Sequence, residues 1–196
     1  GKDNLQRLLV VSGGAGSVIR GLSLSIYDNG GVGLPQTAVI LESCCNSVTG
    51  NFIGFDQSAG SAAYGGVEVD SSHNVIGGPA PADRNVFGLG GDQALVELLG
   101  EENLIQGNYV GVDAAGTGGL SSDQRIGVRI DADFNQVIGN VISTNRSGVA
   151  LVSNGNTISG NRIGTDATGT APLPNLFNGV IVIGSGYGGG IAASRL

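Results

Sequence analysis

The stretch Asn46-Ser-Val-Thr-Gly-Asn-Phe-Ile53 decides the fold, because its pattern, Asn-x-apolar-x-Gly-Asn-x-apolar, recurs along the chain. The pattern returns in full at residues 103–110, 135–142 and 156–163. A split copy starts at Asn74 and resumes at Asn85, and a degenerate copy starts at Ser17. The copies begin at positions 17, 46, 74, 103, 135 and 156, which are 29, 28, 29, 32 and 21 residues apart. A period of this size is typical of one coil of a β-helix.

A second phrase of four residues recurs in step with the first and predicts strands. Its first and third residues are always apolar, and on a strand they point to the same face. These pairs are Val39/Leu41, Val67/Val69, Val96/Leu98, Val128/Ile130, Val149/Leu151 and Val180/Val182. The second and fourth residues vary between charged and apolar, as on a face open to solvent. We therefore predict an all-β chain, a right-handed parallel β-helix of about seven coils, with residues 1–196 as one domain and a Gly-rich tail at 184–196.

The repeated asparagines and glycines have a structural interpretation. An inward Asn at a corner between two strands can bond to the Asn of the next coil and form a ladder. The residues placed to do this are Asn51, Asn108, Asn140 and Asn161. The glycine before each of them suits a turn with an unusual φ. For all these positions we favour a structural role over a catalytic one.

Composition excludes several classes of function. The net charge is −7 and the only lysine is Lys2, so there is no basic face for nucleic acid. No apolar run is long enough to span a bilayer. The two cysteines, Cys44 and Cys45, are neighbours in sequence, and adjacent cysteines rarely bond to each other. We expect one thiol in the core and one at the turn, in preference to an intermolecular bridge.

The repeats resemble those of secreted bacterial right-handed β-helix proteins of the pectate-lyase-like architecture. The resembling runs are Asn74-Val-Ile-Gly-Gly, Asn156-Thr-Ile-Ser-Gly-Asn and Ile163-Gly-Thr-Asp-Ala-Thr-Gly-Thr170, and the match covers roughly residues 17–184. The resemblance implies the fold and export from the cell, to the exterior or the cell surface. It implies no particular activity, since one fold hosts many functions.

An enzymatic site would lie on the outward face of the main sheet. Enzymes of this architecture that act on polysaccharides use carboxylates and basic residues there, and the corresponding residues are Glu42, Glu68, Asp70, Glu97, Arg129 and Asp131. Glu42 and Asp70 are expected on adjacent coils, close enough to share a proton or to bind Ca²⁺. Against catalysis, the acidic column stops at Leu99, and Glu97 beside Arg129 indicates an ordinary cross-strand ion pair. We favour a solvated acidic face over a catalytic one.

Three aspartates recur at equal places in protruding loops and are the candidate calcium ligands: Asp56, Asp113 and Asp166. Each would need several more oxygen ligands, so an Asp that caps its own turn is the favoured interpretation. His73 is the only histidine and is interpreted as a turn residue. No other cofactor is indicated.

The ends of the repeat array suggest how the protein works. No amphipathic helix that could cap a solenoid is evident at either end, and open ends expose core and strand edges. We therefore expect covalent continuation in a longer chain, or self-association through the ends into a head-to-tail filament. The sequence favours a non-enzymatic extracellular module for surface adhesion or filament assembly. The alternative is a β-helix that binds or cleaves glycans with its acidic face.

Overall fold

The computed structural model describes residues 6–27, 36–55, 63–88, 94–120 and 122–183. Over these residues the protein is all-β, apart from one short 3₁₀ helix at Pro81–Asp83, and its main sheets are parallel and run along a solenoid. The prediction of a parallel β-helix is confirmed. The Gly-rich tail lies outside the described residues.

The first sheet has seven strands, in spatial order along the solenoid axis. They are β1 (Gln6–Val11), β5 (Gln36–Leu41), β9 (Val67–Val69), β12 (Ala94–Leu98), β15 (Ser122–Ile130), β18 (Asn145–Leu151) and β21 (Asn178–Val182). This sheet contains the four-residue phrase, and the register joins equivalent positions, such as Val96 to Val67 and to Val128.

The second and third sheets have six strands each and contain the asparagine phrase. The second consists of β2 (Val18–Arg20), β6 (Ser47–Thr49), β10 (Val75–Gly77), β13 (Leu104–Gln106), β16 (Gln136–Ile138) and β19 (Thr157–Ser159). The third consists of β3 (Ser23–Leu24), β7 (Phe52–Ile53), β11 (Val86–Phe87), β14 (Tyr109–Val110), β17 (Val141–Ile142) and β20 (Arg162–Ile163).

Each coil contributes one strand to each sheet, in the chain order first, second, third sheet. The number of complete coils is slightly lower than the predicted seven. The difference arises because, among the described residues, the last coil supplies only β21, to the first sheet.

The core fills the interior of the coils with stacked aliphatic columns. In the first sheet the inward residues of the middle coils, from Val39 to Val149, are 0–1% exposed. The second and third sheets add columns that include Ile76, Ile105 and Phe87, all fully buried. The inward positions are thus buried in the middle coils as predicted, but not in the last one, where Val180 is 40% and Val182 is 42% exposed. The outward positions are not uniformly open to solvent, because Ile40 and Ala150 are buried.

Two extra features project from the coils after the third sheet. The short strands β4 (Ile26–Tyr27) and β8 (Ala63–Tyr64) pair antiparallel. The predicted loops at residues 111–117 and 164–170 each extend by two residues and are closed by one antiparallel bridge, Val112 to Gly119 and Thr165 to Pro172. The Ala167 N–H donates to the Gly116 carbonyl at 2.8 Å, so these loops lie against each other across two coils.

The expectation of a buried thiol is wrong, because Cys44 and Cys45 are both exposed and free. They follow the end of β5 at Leu41, so they belong to the corner and not to a strand with an inward face. Cys45 has a φ of +66°, in the left-handed region, so the chain turns there and Asn46 becomes the buried residue.

Candidate functional site

The corner between the second and third sheets holds a continuous asparagine column. The structure places all four predicted asparagines in it and adds Asn85 between Asn51 and Asn108. Each backbone N–H in the column donates to the side-chain oxygen of the next Asn at 2.8–3.1 Å. The side-chain amides donate along the same column at 2.9–3.1 Å. These bonds satisfy buried polar groups at every turn of this corner.

A second column occupies the corner between the first and second sheets. It is formed by the asparagines that begin each phrase: Asn46, Asn74, Asn103, Asn135 and Asn156. Each backbone N–H again donates to the next Asn side chain, at 2.7–2.8 Å. The sequence analysis identifies these residues as the start of each phrase but predicts no role for them. The signal was present, because these residues recur as regularly as those of the first column.

The residue before each Asn of the second column adopts a left-handed conformation. Positive φ angles occur at Cys45, His73, Glu102 and Phe134, and at Gly155 before Asn156. A left-handed residue bends the chain sharply at the corner. Its own side chain, where it has one, therefore stays outside the solenoid, and the side chain of the following Asn points inward. We call this outer row, residues 45, 73, 102, 134 and 155, the corner column.

The acidic residues proposed as a catalytic set lie on the outer face of the first sheet. Glu68 pairs in register with Glu97, and Glu97 with Arg129, so these three side chains occupy successive coils. Glu42 follows β5, Asp70 follows β9 and Asp131 follows β15. We call these six residues the acidic face: Glu42, Glu68, Asp70, Glu97, Arg129 and Asp131.

Glu68 and Asp70 interact most directly within the acidic face. The two residues are separated by one position on the same side of the strand, and their carboxyl groups are hydrogen-bonded to each other. Burial, together with the nearby charges of Asp70 and Glu97, raises the pKa of Glu68 to about 7. Burial also raises the pKa of Asp70, against the lowering effect of the Glu68 hydrogen bond. Glu68 is therefore the carboxyl group of this pair that keeps its proton up to a pH of about 7.

Arg129 lies at the other end of the acidic face and offsets part of its negative charge. Its Nε lies 2.9 Å from Asp131 Oδ1, and its second nitrogen, Nη2, lies 2.7 Å from Asp131 Oδ2. The expected ion pair with Glu97 is also present, at 3.5 Å from Arg129 Nε to Glu97 Oε1. The hydrogen bonds to Asp131 raise the pKa of Arg129, so this guanidinium is firmly cationic and already engaged by two carboxylates.

Glu42 has a different neighbour from the one expected. The Arg7 Nη1 lies 4.0 Å from Glu42 Oε1, and both side chains are more than one third exposed. The charge of Glu42 helps to raise the pKa of Asp70, but the hydrogen-bond partner of Asp70 is Glu68 on its own strand. The column stops at Leu99, which is 45% exposed.

The chemistry available to the acidic face follows from these contacts. Two hydrogen-bonded carboxyl groups are closer than the 5 Å or more that separates the acid and nucleophile in most glycosidases. A protonated Glu68 can donate a proton, whereas Arg129 is already engaged by Glu97 and Asp131. However, no second or fourth position of the four-residue phrase is aromatic, so this face has no flat ring for a sugar to stack on.

The loop aspartates accept hydrogen bonds from their own turns. Asp113 Oδ1 accepts from the Thr117 N–H at 2.9 Å. Asp166 Oδ1 accepts from the Thr168 hydroxyl at 2.8 Å and the Thr170 N–H at 3.0 Å, which lowers its pKa. Asp56 lies outside the described residues. Within the described ranges, no three His, Cys, Asp or Glu side chains are grouped to hold a metal ion.

His73 lies in the corner column and is tied to the next coil. Its Nε2 lies 2.7 Å from Glu102 Oε2, and both side chains are more than half exposed. Its φ of +61° fits the predicted turn residue.

Comparison with known proteins adds no family to this description. No protein-family model matches the chain, and neither a curated protein nor a solved structure matches it. In the described part of the chain, no helix is long and apolar enough to cross a membrane.

Proposed function

We propose that the protein is a non-enzymatic structural module, secreted by a bacterium to the cell surface or beyond, whose coils continue end to end in a filament. One observation supports this proposal more than any other. Val180 and Val182 continue an inward column whose middle members are fully buried, yet they are 40% and 42% exposed. Such a column is stabilised when a further coil covers it.

The other described end offers a matching surface. Leu9 and Val11 of β1 lie at the same inward positions as Val39 and Leu41 and are only partly buried. The strands β1 and β21 lie at the two ends of the first sheet and run in the same direction, so the edge of β21 that has no described neighbour can pair with β1 of a second copy. This contact is heterologous and does not close on itself, which is the condition for a filament.

The proposal is tested by the size of the full-length protein in solution. We expect sedimentation velocity to show species that grow with protein concentration, and electron microscopy to show thin rods with one axial repeat. Val180→Asp places a charge in the inward column and should abolish this growth. Ile181→Asp is the matched control, because it changes the neighbouring residue on the opposite face of β21. A wild-type protein that stays monomeric at every concentration would overturn the proposal.

A second candidate function rests on Glu68, whose raised pKa gives the acidic face a proton donor at neutral pH. We infer that, if the protein acts on glycans, Glu68 donates the proton while Asp70 is its hydrogen-bond partner. The test is release of reducing ends or unsaturated products from a panel of acidic polysaccharides. Activity that is lost in Glu68→Gln but kept in Glu101→Gln, an exposed acid at a corner, would support it. No product from any polysaccharide would reject it.

A further inference from the structure

Cys44 and Cys45 form an exposed pair of thiols at the first corner of the second coil. The Cys45 S–H donates to Cys44 Sγ with the two sulfur atoms 2.7 Å apart, and neither sulfur is bonded elsewhere. Cys45 belongs to the corner column, where side chains stay outside the solenoid. The corner is rigid, because the Asn46 that follows is buried and bonded to Asn74 on the next coil and, through its side chain, to Ser43.

The two sulfur atoms lie close to the bonding distance of a disulfide. A disulfide needs its sulfurs about 2.05 Å apart, so the observed distance must shorten by well under 1 Å. Adjacent Cα atoms are about 3.8 Å apart, less than the usual minimum of about 4.4 Å for bridged cysteines. The eight-membered ring is therefore strained, and strained, exposed disulfides are those that are most easily reduced again.

We propose that Cys44 and Cys45 are a reversible redox modification site, at which a low-molecular-weight disulfide of the glutathione class oxidises the two thiols to a vicinal disulfide. The first step is attack of the Cys44 thiolate on the small disulfide, which gives a mixed disulfide at Cys44 and releases one small thiolate. The Cys45 sulfur then attacks Cys44 Sγ, gives up its proton and displaces the second small thiol. In total, two protein thiols and one small disulfide become one protein disulfide and two small thiols.

The order of the two steps follows from the hydrogen bond. Cys45 is the donor and Cys44 the acceptor of the contact between the two sulfur atoms. The same hydrogen bond is the main cause that raises the pKa of Cys45, which keeps its proton longer. Cys44 is thus assigned as the attacking thiol and Cys45 as the resolving thiol.

The surroundings leave the site open to a small reagent. Both cysteines are exposed, and the next members of the corner column, His73 and Glu102, bond to each other. A tripeptide disulfide can therefore reach the sulfurs without displacing a buried group. The size and polarity of this tripeptide disulfide suit an exposed corner better than the core.

The experiment uses the full-length protein, reduced and then incubated with oxidised glutathione. We expect the loss of both free thiols without a stable glutathione adduct, and a proteolytic peptide with both cysteines that is lighter by two hydrogen atoms. Cys45→Ser should trap glutathione on Cys44, while Cys44→Ser should react several-fold more slowly. Circular dichroism should show that both variants keep the β-sheet spectrum, because the substituted side chains are exposed.

Three outcomes would overturn the proposal. One is that the wild-type protein keeps both thiols free. Another is that it accumulates glutathione adducts at both cysteines. The third is that it forms disulfide-linked dimers on a non-reducing gel. Return of both thiols at a ratio of reduced to oxidised glutathione that leaves ordinary structural disulfides intact would establish that the site is reversible.

Discussion

At the scale of single residues, the corners of this solenoid depend on two residue properties. Asn supplies both a donor and an acceptor to a buried turn, and both columns use the acceptor to receive the backbone N–H of the preceding coil. A residue with positive φ comes just before every Asn of the two columns except Asn85, where Arg84 has a φ of −60°. Glycine adopts the positive φ without steric cost. Gly50, Gly107, Gly139 and Gly160, predicted to suit unusual turns, all have positive φ.

Two of these glycines provide a matched test of what a side chain would cost. Gly107 and Gly139 have φ angles of +68° and +65°, so alanine is strained to the same degree at both positions. A Cβ at Gly107 would lie 2.3 Å from the Gly78 carbonyl oxygen, whereas a Cβ at Gly139 meets nothing within 4 Å. We expect Gly139→Ala to cost about 1 kcal/mol of unfolding free energy and Gly107→Ala about 1–3 kcal/mol more. Urea unfolding measures both values, and equal losses would contradict this explanation.

The raised pKa of Glu68 makes stability depend on pH in a defined direction. The folded protein holds this proton up to a pH of about 7, whereas an unperturbed Glu releases it near 4.5. The unfolded chain therefore binds fewer protons between these values, and the contribution of Glu68 to stability falls as the pH rises through this window. Glu68→Gln, neutral at every pH, should match the wild type at pH 4 and be more stable than it at pH 8. Urea unfolding at both pH values checks this, and parallel stability curves would contradict it.

At the scale of elements, the strands are stabilised by the neighbours above and below them. Val69 and Val182 occupy the same position of the four-residue phrase, but Val69 is 0% and Val182 is 42% exposed. The difference arises because β9 lies between two strands, β5 and β12, while β21 has one described neighbour, β18. The sequence pattern is equal at both positions, so burial depends on place along the solenoid.

This pair of valines tests how much the neighbouring coils contribute. We expect Val69→Ala to cost about 2 kcal/mol, from lost burial and the cavity left behind. Val182→Ala removes the same two methyl groups from a half-exposed site and should cost less than about 0.5 kcal/mol. The measurement is urea unfolding at low protein concentration, where chain association is weakest. Similar costs would mean that Val182 is covered as fully as Val69.

The elements also show what the sequence could and could not predict. The period and the alternation predict the sheets, because each buried column requires an apolar residue at a fixed spacing. The side chains at corners escaped prediction for a physical reason. Alternation applies only to extended backbone, and the left-handed residue at Cys45 ends it, so the thiol expected in the core is exposed together with the one expected at the turn. The repeat pairs Glu42 with Asp70 on adjacent coils, but it does not reveal the hydrogen bond between Glu68 and Asp70, since side-chain reach along one strand is not visible in a repeat.

At the scale of the whole molecule, the protein is close to one-dimensional. Each strand of the three main sheets pairs only with its counterparts on adjacent coils, so stability is approximately a sum of coil and interface contributions. Coils in the middle have two interfaces and the described terminal coils have one. The terminal coils should therefore open more often, with a smaller free energy than the middle.

Hydrogen exchange connects this gradient to the proposed assembly. In dilute protein the backbone amides of β21 and β1 should exchange faster than those of β12, which lies between β9 and β15. If copies stack head to tail, each terminal coil gains a second interface, so protection of β21 and β1 should rise together with protein concentration while β12 stays unchanged. Val180→Asp should remove this rise in both β21 and β1, because each contact joins β21 of one copy to β1 of the next. Protection that is independent of concentration would show that the exposed column of β21 has no partner coil, and adhesion through the sides of the solenoid would then be the role to test.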